Sequence, residues 1–250
     1  MKLQNERGFI MRKEYLEETK MLNFRSQEIK KLVVEKHWSN LSEYNKIKSV
    51  YEFVQNDILF GYNSSDTLNA VQVLHDGFGQ CNTKSTLLMA LLRSVNVPCR
   101  LHAFNVSKDF QKGAIPKIIS WFTPEQILHT WVEVYFKNEW IILEGVITDK
   151  KYLSAVQKKF SSHVGLFKGY AIAVKDLQKV KVDWTGGHTY VQKEAIIYDY
   201  GIFNSPDEFF SVHSQDMSKI KEFLYRNVGR KIMTKKVDSI RNTYTLLSRG

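Results

Sequence analysis

Residues 77–100 read GFGQCNTKSTLLMALLRSVNVPCR, and this stretch decides the fold. A turn-rich segment with two glycines leads directly into Cys81. From there on, apolar residues recur at the spacing of one helical face: Leu87, Leu88, Leu91 and Leu92. Asn96 and Pro98 end this pattern. The sequence therefore predicts a helix that begins at Cys81 and is entered through a glycine-containing turn.

A cysteine in the first turn of a helix has the environment of a nucleophile. The helix N-terminus carries about half a positive charge and free backbone N–H groups. It favours the thiolate, which is the reactive form of a thiol, and its N–H groups can stabilise an oxyanion. Taken alone, a cysteine is more often a small buried apolar residue. Cys81 is the candidate nucleophile, whereas Cys99 lacks the glycine-rich approach and is interpreted as structural.

Residues 129–144 read HTWVEVYFKNEWIILE and predict two strands joined by a short connection. In the first strand Val132, Val134 and Phe136 form an apolar face. His129 opens the opposite, more polar face, which also carries Glu133. Because a histidine beside a thiol can take up its proton, His129 is the candidate base among the seven histidines.

The acid that would orient His129 depends on the register of the two strands. A four-residue connection pairs Tyr135 with Trp140. In that register Glu144 lies on the face of His129, about 7–8 Å away across the sheet. A three-residue connection would turn Glu144 toward the apolar face. The first register also points the apolar residues of the second strand into the core and is favoured; Asp149 is the alternative acid.

Together, these two motifs resemble the nucleophile and histidine segments of the transglutaminase-like superfamily of papain-like cysteine acyl-transfer enzymes. The first, at 79–100, has G-x-C, a leucine-rich helix ending A-L-L-R, and V-P-C-R. The second, at 129–144, has H-x-W-V-E-V-Y followed by W-x-x-x-E. Residues 47–62 resemble the helix and short strand that precede the nucleophile there. The resemblance covers about 28–150, and weaker similarity to bacterial members extends over 184–210.

The resemblance implies an α+β fold with a papain-like core. The nucleophile would begin a central helix packed on an antiparallel sheet that carries the histidine and the acid, with helical N- and C-terminal extensions. It implies Cys81 as nucleophile, His129 as general base and acid, and Glu144 where the superfamily usually has aspartate. Asn96 stands where glycine is usual. No cofactor or metal is implied.

The implied chemistry is acyl transfer through a thioester at Cys81. Water as acceptor gives a protease or amidase, and an amine as acceptor gives transglutamination. The animal crosslinking enzymes of this superfamily are larger and calcium-regulated. Hydrolysis is favoured here, because this chain has no aspartate-rich calcium loop of the kind found in EF-hands and because hydrolysis needs only water. The backbone N–H of Cys81 is the first oxyanion donor, and Gln80 and Tyr62 are candidates for the second. The alternative function is a non-catalytic protein-binding module on the same fold, favoured by the departure at Glu144.

The composition fits a single domain over residues 1–250, with a core at about 28–150 and a helical extension at about 206–250. Hydrophobic residues make up 43% and charged residues 25%, which are ordinary globular values. Two cysteines exclude a disulfide framework and a cysteine-rich zinc module. There is neither an apolar run of about 18 residues nor an apolar signal segment at the start. We expect a cytoplasmic protein without a membrane partner.

The net charge of +10 is concentrated in residues 217–250, which contain nine basic and two acidic side chains. Such a run is usually a solvated helical face, and the alternative is contact with an acidic partner such as nucleic acid. No aromatic stacking platform is evident there, so a nucleic-acid partner is not expected. The expected partner is a protein, peptide or amide substrate.

Overall fold

The computed structural model describes residues 13–120 and 123–243, and it combines helices with an antiparallel sheet. In chain order the helices are α1 (Gln27–Glu35), α2 (Glu43–Asn56), α3 (Ala70–Asp76), α4 (Cys81–Ser94), α5 (Lys117–Ser120), α6 (Lys150–Lys159), α7 (Pro206–Val212), α8 (Lys219–Leu224) and α9 (Arg230–Thr243). The strands are β1 (Leu59–Phe60), β2 (Phe78–Gly79), β3 (Cys99–Ser107), β4 (Gln126–Phe136), β5 (Glu139–Ile142), β6 (Phe167–Gly169), β7 (Ile172–Val174) and β8 (Ile196–Phe203). The predicted α+β class is confirmed.

Helix α4 lies at the centre and packs on a four-stranded sheet with the order β5–β4–β3–β8. All neighbouring strands in this sheet are antiparallel. The sequence predicted one apolar face for α4, yet every residue of this helix except Ser94 is buried. The reason is that α1, α2 and α3 cover the sides that the sheet leaves open. A helix enclosed in this way has a fixed position relative to the sheet.

The β4–β5 hairpin has the predicted register, with Tyr135 opposite Trp140. Its connection is a two-residue turn at Lys137 and Asn138, whose φ angles of 51° and 69° are typical of a type I′ turn. Glu144 lies beyond the end of β5, in the 3₁₀ turn Glu144–Val146, rather than on the strand.

The N-terminal region is less helical than its sequence indicated. The helical spacing of Ile29, Leu32 and Val33 predicts a helix over 12–38. Residue 12 lies outside the described residues, and residues 15–25 form turns and irregular chain. Helix α1 begins only after Ser26, whose side chain accepts a hydrogen bond from the backbone N–H of Ile29. The segment before it is held by tertiary contacts, since the Met21 N–H donates to Asp207 at 2.9 Å.

Two predicted strands also differ from the structure. The sequence predicts one strand over 165–174, but the structure has the β6–β7 hairpin there, which turns at Tyr170 and Ala171, both with positive φ. The sequence also predicts a strand over 190–200, and in the structure this strand begins later, as β8. The glycine and prolines within 107–128 predict a long loop there. In the structure this stretch contains α5 and a 3₁₀ turn, and β4 begins inside it; residues 121–122 lie outside the described residues.

The C-terminal helices are joined to the core by a buried ion pair. Arg241 on α9 lies 2.8 Å from an Asp149 carboxylate oxygen through Nη2, and it also donates to the Phe60 carbonyl at 2.7 Å. Burial acts to raise the pKa of Asp149, but the Arg241 guanidinium holds it below its usual range. Asp149 also accepts from the Tyr152 N–H as the cap of α6. Asp149, the alternative acid, therefore binds Arg241 and caps α6 instead of orienting His129.

A π-helical turn, Tyr225–Gly229, connects α8 to α9, so the predicted helical extension is present up to Thr243. Residues 244–250 of the basic segment lie outside the described residues. Across the described ranges, no helix combines the length and apolar character needed to cross a bilayer.

We expect Arg241→Met to lower the free energy of unfolding by about 3–5 kcal/mol, because it leaves the Asp149 carboxylate buried without its partner. Lys235→Met, an exposed change on the same helix, is the control and should stay within about 0.5 kcal/mol. Urea titration of the two variants measures both values. Equal losses would show that the ion pair does not hold the C-terminal helices to the core.

Candidate active site

Two side chains of α4 bind the backbone of β4 directly. Asn82 Nδ2 donates to the Leu128 carbonyl at 3.0 Å, and Ser85 Oγ donates to the Thr130 carbonyl at 3.2 Å. These carbonyls belong to the residues on either side of His129. Buried strand-edge carbonyls need such partners. The two bonds therefore hold the first turn of α4 beside the imidazole.

The structure brings Cys81, His129 and Glu144 together at the start of α4. His129 Nε2 lies 3.1 Å from Glu144 Oε1, and both side chains are fully buried. His129 Nδ1 is buried and has no hydrogen-bond partner among the described residues. Burial lowers the pKa of His129, but interactions with Cys81 and Glu144 raise it to about 9. At neutral pH the imidazolium is therefore the favoured form.

Glu144 is fixed by a second bond as well. Its Oε2 accepts from the Val191 N–H at 2.9 Å, so each carboxylate oxygen has one partner. The adjacent Gly145 packs tightly, since a Cβ added there would lie 2.6 Å from the hydroxyl of Tyr51. The Gly145 N–H also donates to Thr189 Oγ1 at 3.1 Å. The turn is thereby held where the longer glutamate side chain reaches the imidazole.

A cavity of about 380 Å³ opens at Cys81. Cys81 is 9% exposed, whereas His129 and Glu144 are completely covered, so the sulfur is the part of the group that a ligand can reach. The wall comes from the turns before α4, from the start of β4 and from the C-terminal segment. Its polar lining includes Asp66, Gln80, His213, Gln215, Glu222 and Arg226.

The two side chains named as second oxyanion donors have different surroundings. Gln80 accepts from the Asn63 N–H at 2.8 Å and donates to Asp66 at 3.0 Å, so its carboxamide holds the 63–66 loop. The hydroxyl of Tyr62 is buried at the cavity with no hydrogen-bond partner among the described residues. Burial, and then the charge of Cys81, raise the pKa of Tyr62.

The other polar residue on the face of His129 belongs to a separate cluster. Glu133 lies 2.6 Å from Arg100 Nη2 and 2.8 Å from His102 Nδ1. His102 Nε2 is 2.8 Å from Asp199. Burial acts to lower the pKa of His102, but the carboxylates of Glu133 and Asp199 raise it above its usual value. No group of histidine, cysteine, aspartate and glutamate side chains within 13–120 and 123–243 is arranged to hold a metal ion.

Sequence reasoning missed Asn82, Ser85 and Gly145. The signal for the first two was present, since polar side chains one turn apart at the start of a helix with a leucine-rich second half suggest hydrogen bonds to a neighbouring element. Gly145 directly follows Glu144, and its close contact with Tyr51 depends on α2, which is distant in sequence.

We expect the pKa of His129, measured by NMR titration of its ring signals, to lie at about 9. Glu144→Gln should lower it, because the neutral amide no longer favours the imidazolium, and Cys81→Ala should lower it for the same reason. His102 is the internal control in the same spectra, since Glu133 and Asp199 are unchanged in both variants. A His129 pKa that neither substitution moves would contradict this geometry.

Comparison with known proteins gives one family match. Residues 31–145 match the model of the transglutaminase-like superfamily. This segment contains α4, the β4–β5 hairpin and Glu144. No curated protein sequence matches the chain.

One similar solved structure is that of a candidate cysteine protease from Cytophaga hutchinsonii, with 13% sequence identity and a TM-score of 0.44. The match covers 78% of this chain and 47% of that one, so this chain spans about half of its length. A likeness of that degree carries no argument about chemistry. The family match contains both motifs and the helix-on-sheet core, so residues 31–145 of this chain are similar to the transglutaminase-like superfamily.

Proposed function

We propose that this chain is a cysteine-dependent acyl-transfer enzyme in which Cys81 is the nucleophile, His129 the proton carrier and Glu144 the group that orients the imidazole. The observation that carries the proposal is the buried 3.1 Å contact between His129 Nε2 and Glu144 Oε1. It leaves Nδ1 as the nitrogen available to the thiol. The match of residues 31–145 to the superfamily supports a cysteine-dependent enzyme in general.

The acylation step begins with Cys81 as thiolate and His129 as imidazolium. The sulfur attacks the carbonyl carbon of an amide, a C–S bond forms, and the carbonyl oxygen becomes an oxyanion. His129 then gives its Nδ1 proton to the leaving nitrogen as the C–N bond breaks. An amine departs, and the thioester and a neutral imidazole remain.

The deacylation step uses the same histidine as a base. Water gives a proton to His129 and its oxygen attacks the thioester carbon, after which the C–S bond breaks and the thiolate is restored. Glu144 accepts the Nε2–H throughout and keeps the ring in one orientation. We propose hydrolysis of an amide or peptide bond as the main reaction, because it needs only water. An amine that replaced water would give transglutamination by the same route.

Two donors suit the oxyanion. Cys81 is the first residue of α4, and the N–H groups of a helix's first turn have no intrahelical partner. For the second donor we favour the Tyr62 hydroxyl over Gln80, because Tyr62 has no competing partner among the described residues, whereas Gln80 is bound to the 63–66 loop.

Alkylation by iodoacetamide, followed site by site by mass spectrometry, tests the nucleophile. We expect Cys81 to react rapidly at pH 6 and His129→Ala to slow that reaction, because the imidazolium stabilises the thiolate. Cys99 is the internal control: it is fully buried, and burial raises its pKa. Cys81→Ala should abolish turnover of any amide substrate found by screening.

The opposite result is equally informative. If Cys81 reacted only near about pH 8.5, as an ordinary thiol does, and His129→Ala changed nothing, the proposed pairing would be wrong. A protein-binding module on the same fold would then be the better account.

Tyr62→Phe tests the second oxyanion donor. We expect kcat to fall by about 10²–10³-fold with little change in KM, since the bond would form only as the oxyanion develops. Tyr225→Phe is the matched control, because Tyr225 also lines the cavity but its hydroxyl donates to the Asn63 carbonyl at 3.2 Å. A similar fall in both variants would assign the effect to packing instead.

A further inference from the structure

Strand β4 leaves a short piece of backbone uncovered by other strands beside the Cys81 cavity. β3 occupies one edge of β4 from 126 to 134, whereas β5 pairs with the other edge only from Glu133 onward. On that second edge, α4 takes the carbonyls of Leu128 and Thr130. The carbonyl of Gln126 and the N–H of Leu128 remain at the start of the strand.

Both of these groups are bound by one side chain, that of Gln215. Gln215 Oε1 accepts from the Leu128 N–H at 3.1 Å, and Gln215 Nε2 donates to the Gln126 carbonyl at 2.9 Å. Gln215 lies in the irregular segment between α7 and α8 and lines the same cavity as Cys81. A single carboxamide thus supplies one acceptor and one donor to the strand edge.

An extended polypeptide presents the same pair of groups. Along a strand, the N–H and C=O of one residue point toward the same edge, and unpaired groups at a strand edge are a template for another strand. Recognition of a peptide main chain by a sheet edge uses this complementarity. The geometry therefore points to main-chain hydrogen bonding at this place.

We propose that the main chain of an extended polypeptide substrate binds the Gln126 carbonyl and the Leu128 N–H, and that Gln215 occupies this position in the free protein. The inference rests on the proposed function of Cys81, and it assigns the substrate class as polypeptide rather than small free amide. The exchange loses no hydrogen bond, because the substrate replaces both bonds of Gln215. Ser214 and Asp216 are exposed, so the segment can move without opening the core.

Two reagents that alkylate Cys81 separate main-chain recognition from reactivity. Iodoacetamide has no peptide main chain, whereas acetyl-Ala-Ala-Ala chloromethyl ketone has three residues of it. In the full chain, Gln215→Ala should raise the rate with the peptidyl reagent by about tenfold and leave the rate with iodoacetamide nearly unchanged, because a competitor for the edge is removed. Gln215→Glu should give a smaller rise, since its carboxylate still accepts from Leu128 but no longer donates to Gln126. Asp216→Asn is the neighbouring control and should change neither rate.

Equal acceleration with both reagents would overturn the proposal, since Gln215 would then only screen the sulfur. No acceleration with either would overturn it too. If Cys81 resisted iodoacetamide in every variant, the proposed nucleophile would be wrong. Hydrogen exchange at the Leu128 N–H would then still test whether a peptide main chain binds the edge of β4. That exchange should be faster in Gln215→Ala and slow again with acetyl-Ala-Ala-Ala-methylamide; exchange that the peptide does not slow would overturn the proposal.

Discussion

The contact between α4 and the edge of β4 is the constraint on which the rest of the site depends. Asn82 and Ser85 bind carbonyls that the sheet leaves without a partner, and Thr130 Oγ1 donates back to Asn82 Oδ1 at 3.1 Å. Both atoms of the Asn82 carboxamide are therefore engaged, and the amide has one orientation. Loss of this contact would leave buried backbone carbonyls unsatisfied. The helix that carries Cys81 cannot slide along the strand that carries His129 without breaking these bonds.

Electrostatic interactions within this site set the pKa of His129. The imidazole of His129 lies fully buried, and burial alone would favour its neutral form. Interactions with Cys81 and Glu144 outweigh that cost and raise its pKa to about 9. Glu144 is itself fixed by the Val191 N–H, which belongs to a segment beyond β7. The acid therefore depends on chain that lies well outside the strand bearing the histidine.

The C-terminal segment completes the cavity without belonging to the part of the chain that matches the superfamily. The matched segment ends at residue 145, whereas much of the cavity wall comes from 210–233. Arg241 holds the helices of this segment to the core through Asp149. In the function proposed here, selection among substrates would fall to residues of this segment such as Gln215, and the chemistry to the core.

The sequence by itself determined the helix that begins at Cys81 and the register of the β4–β5 hairpin, because glycine placement and alternation of apolar residues act over short distances. It predicted that Glu144 approaches His129, but the position of that carboxylate also depends on the distant Val191 N–H. It left the second oxyanion donor open and did not reveal that Lys84 is fully buried, donating to the Gln55 carbonyl at 3.2 Å. Only the tertiary structure decided the burial of Lys84 and the place of Asp149. Each depends on which distant segment covers a given side chain, and local patterning carries no information about that.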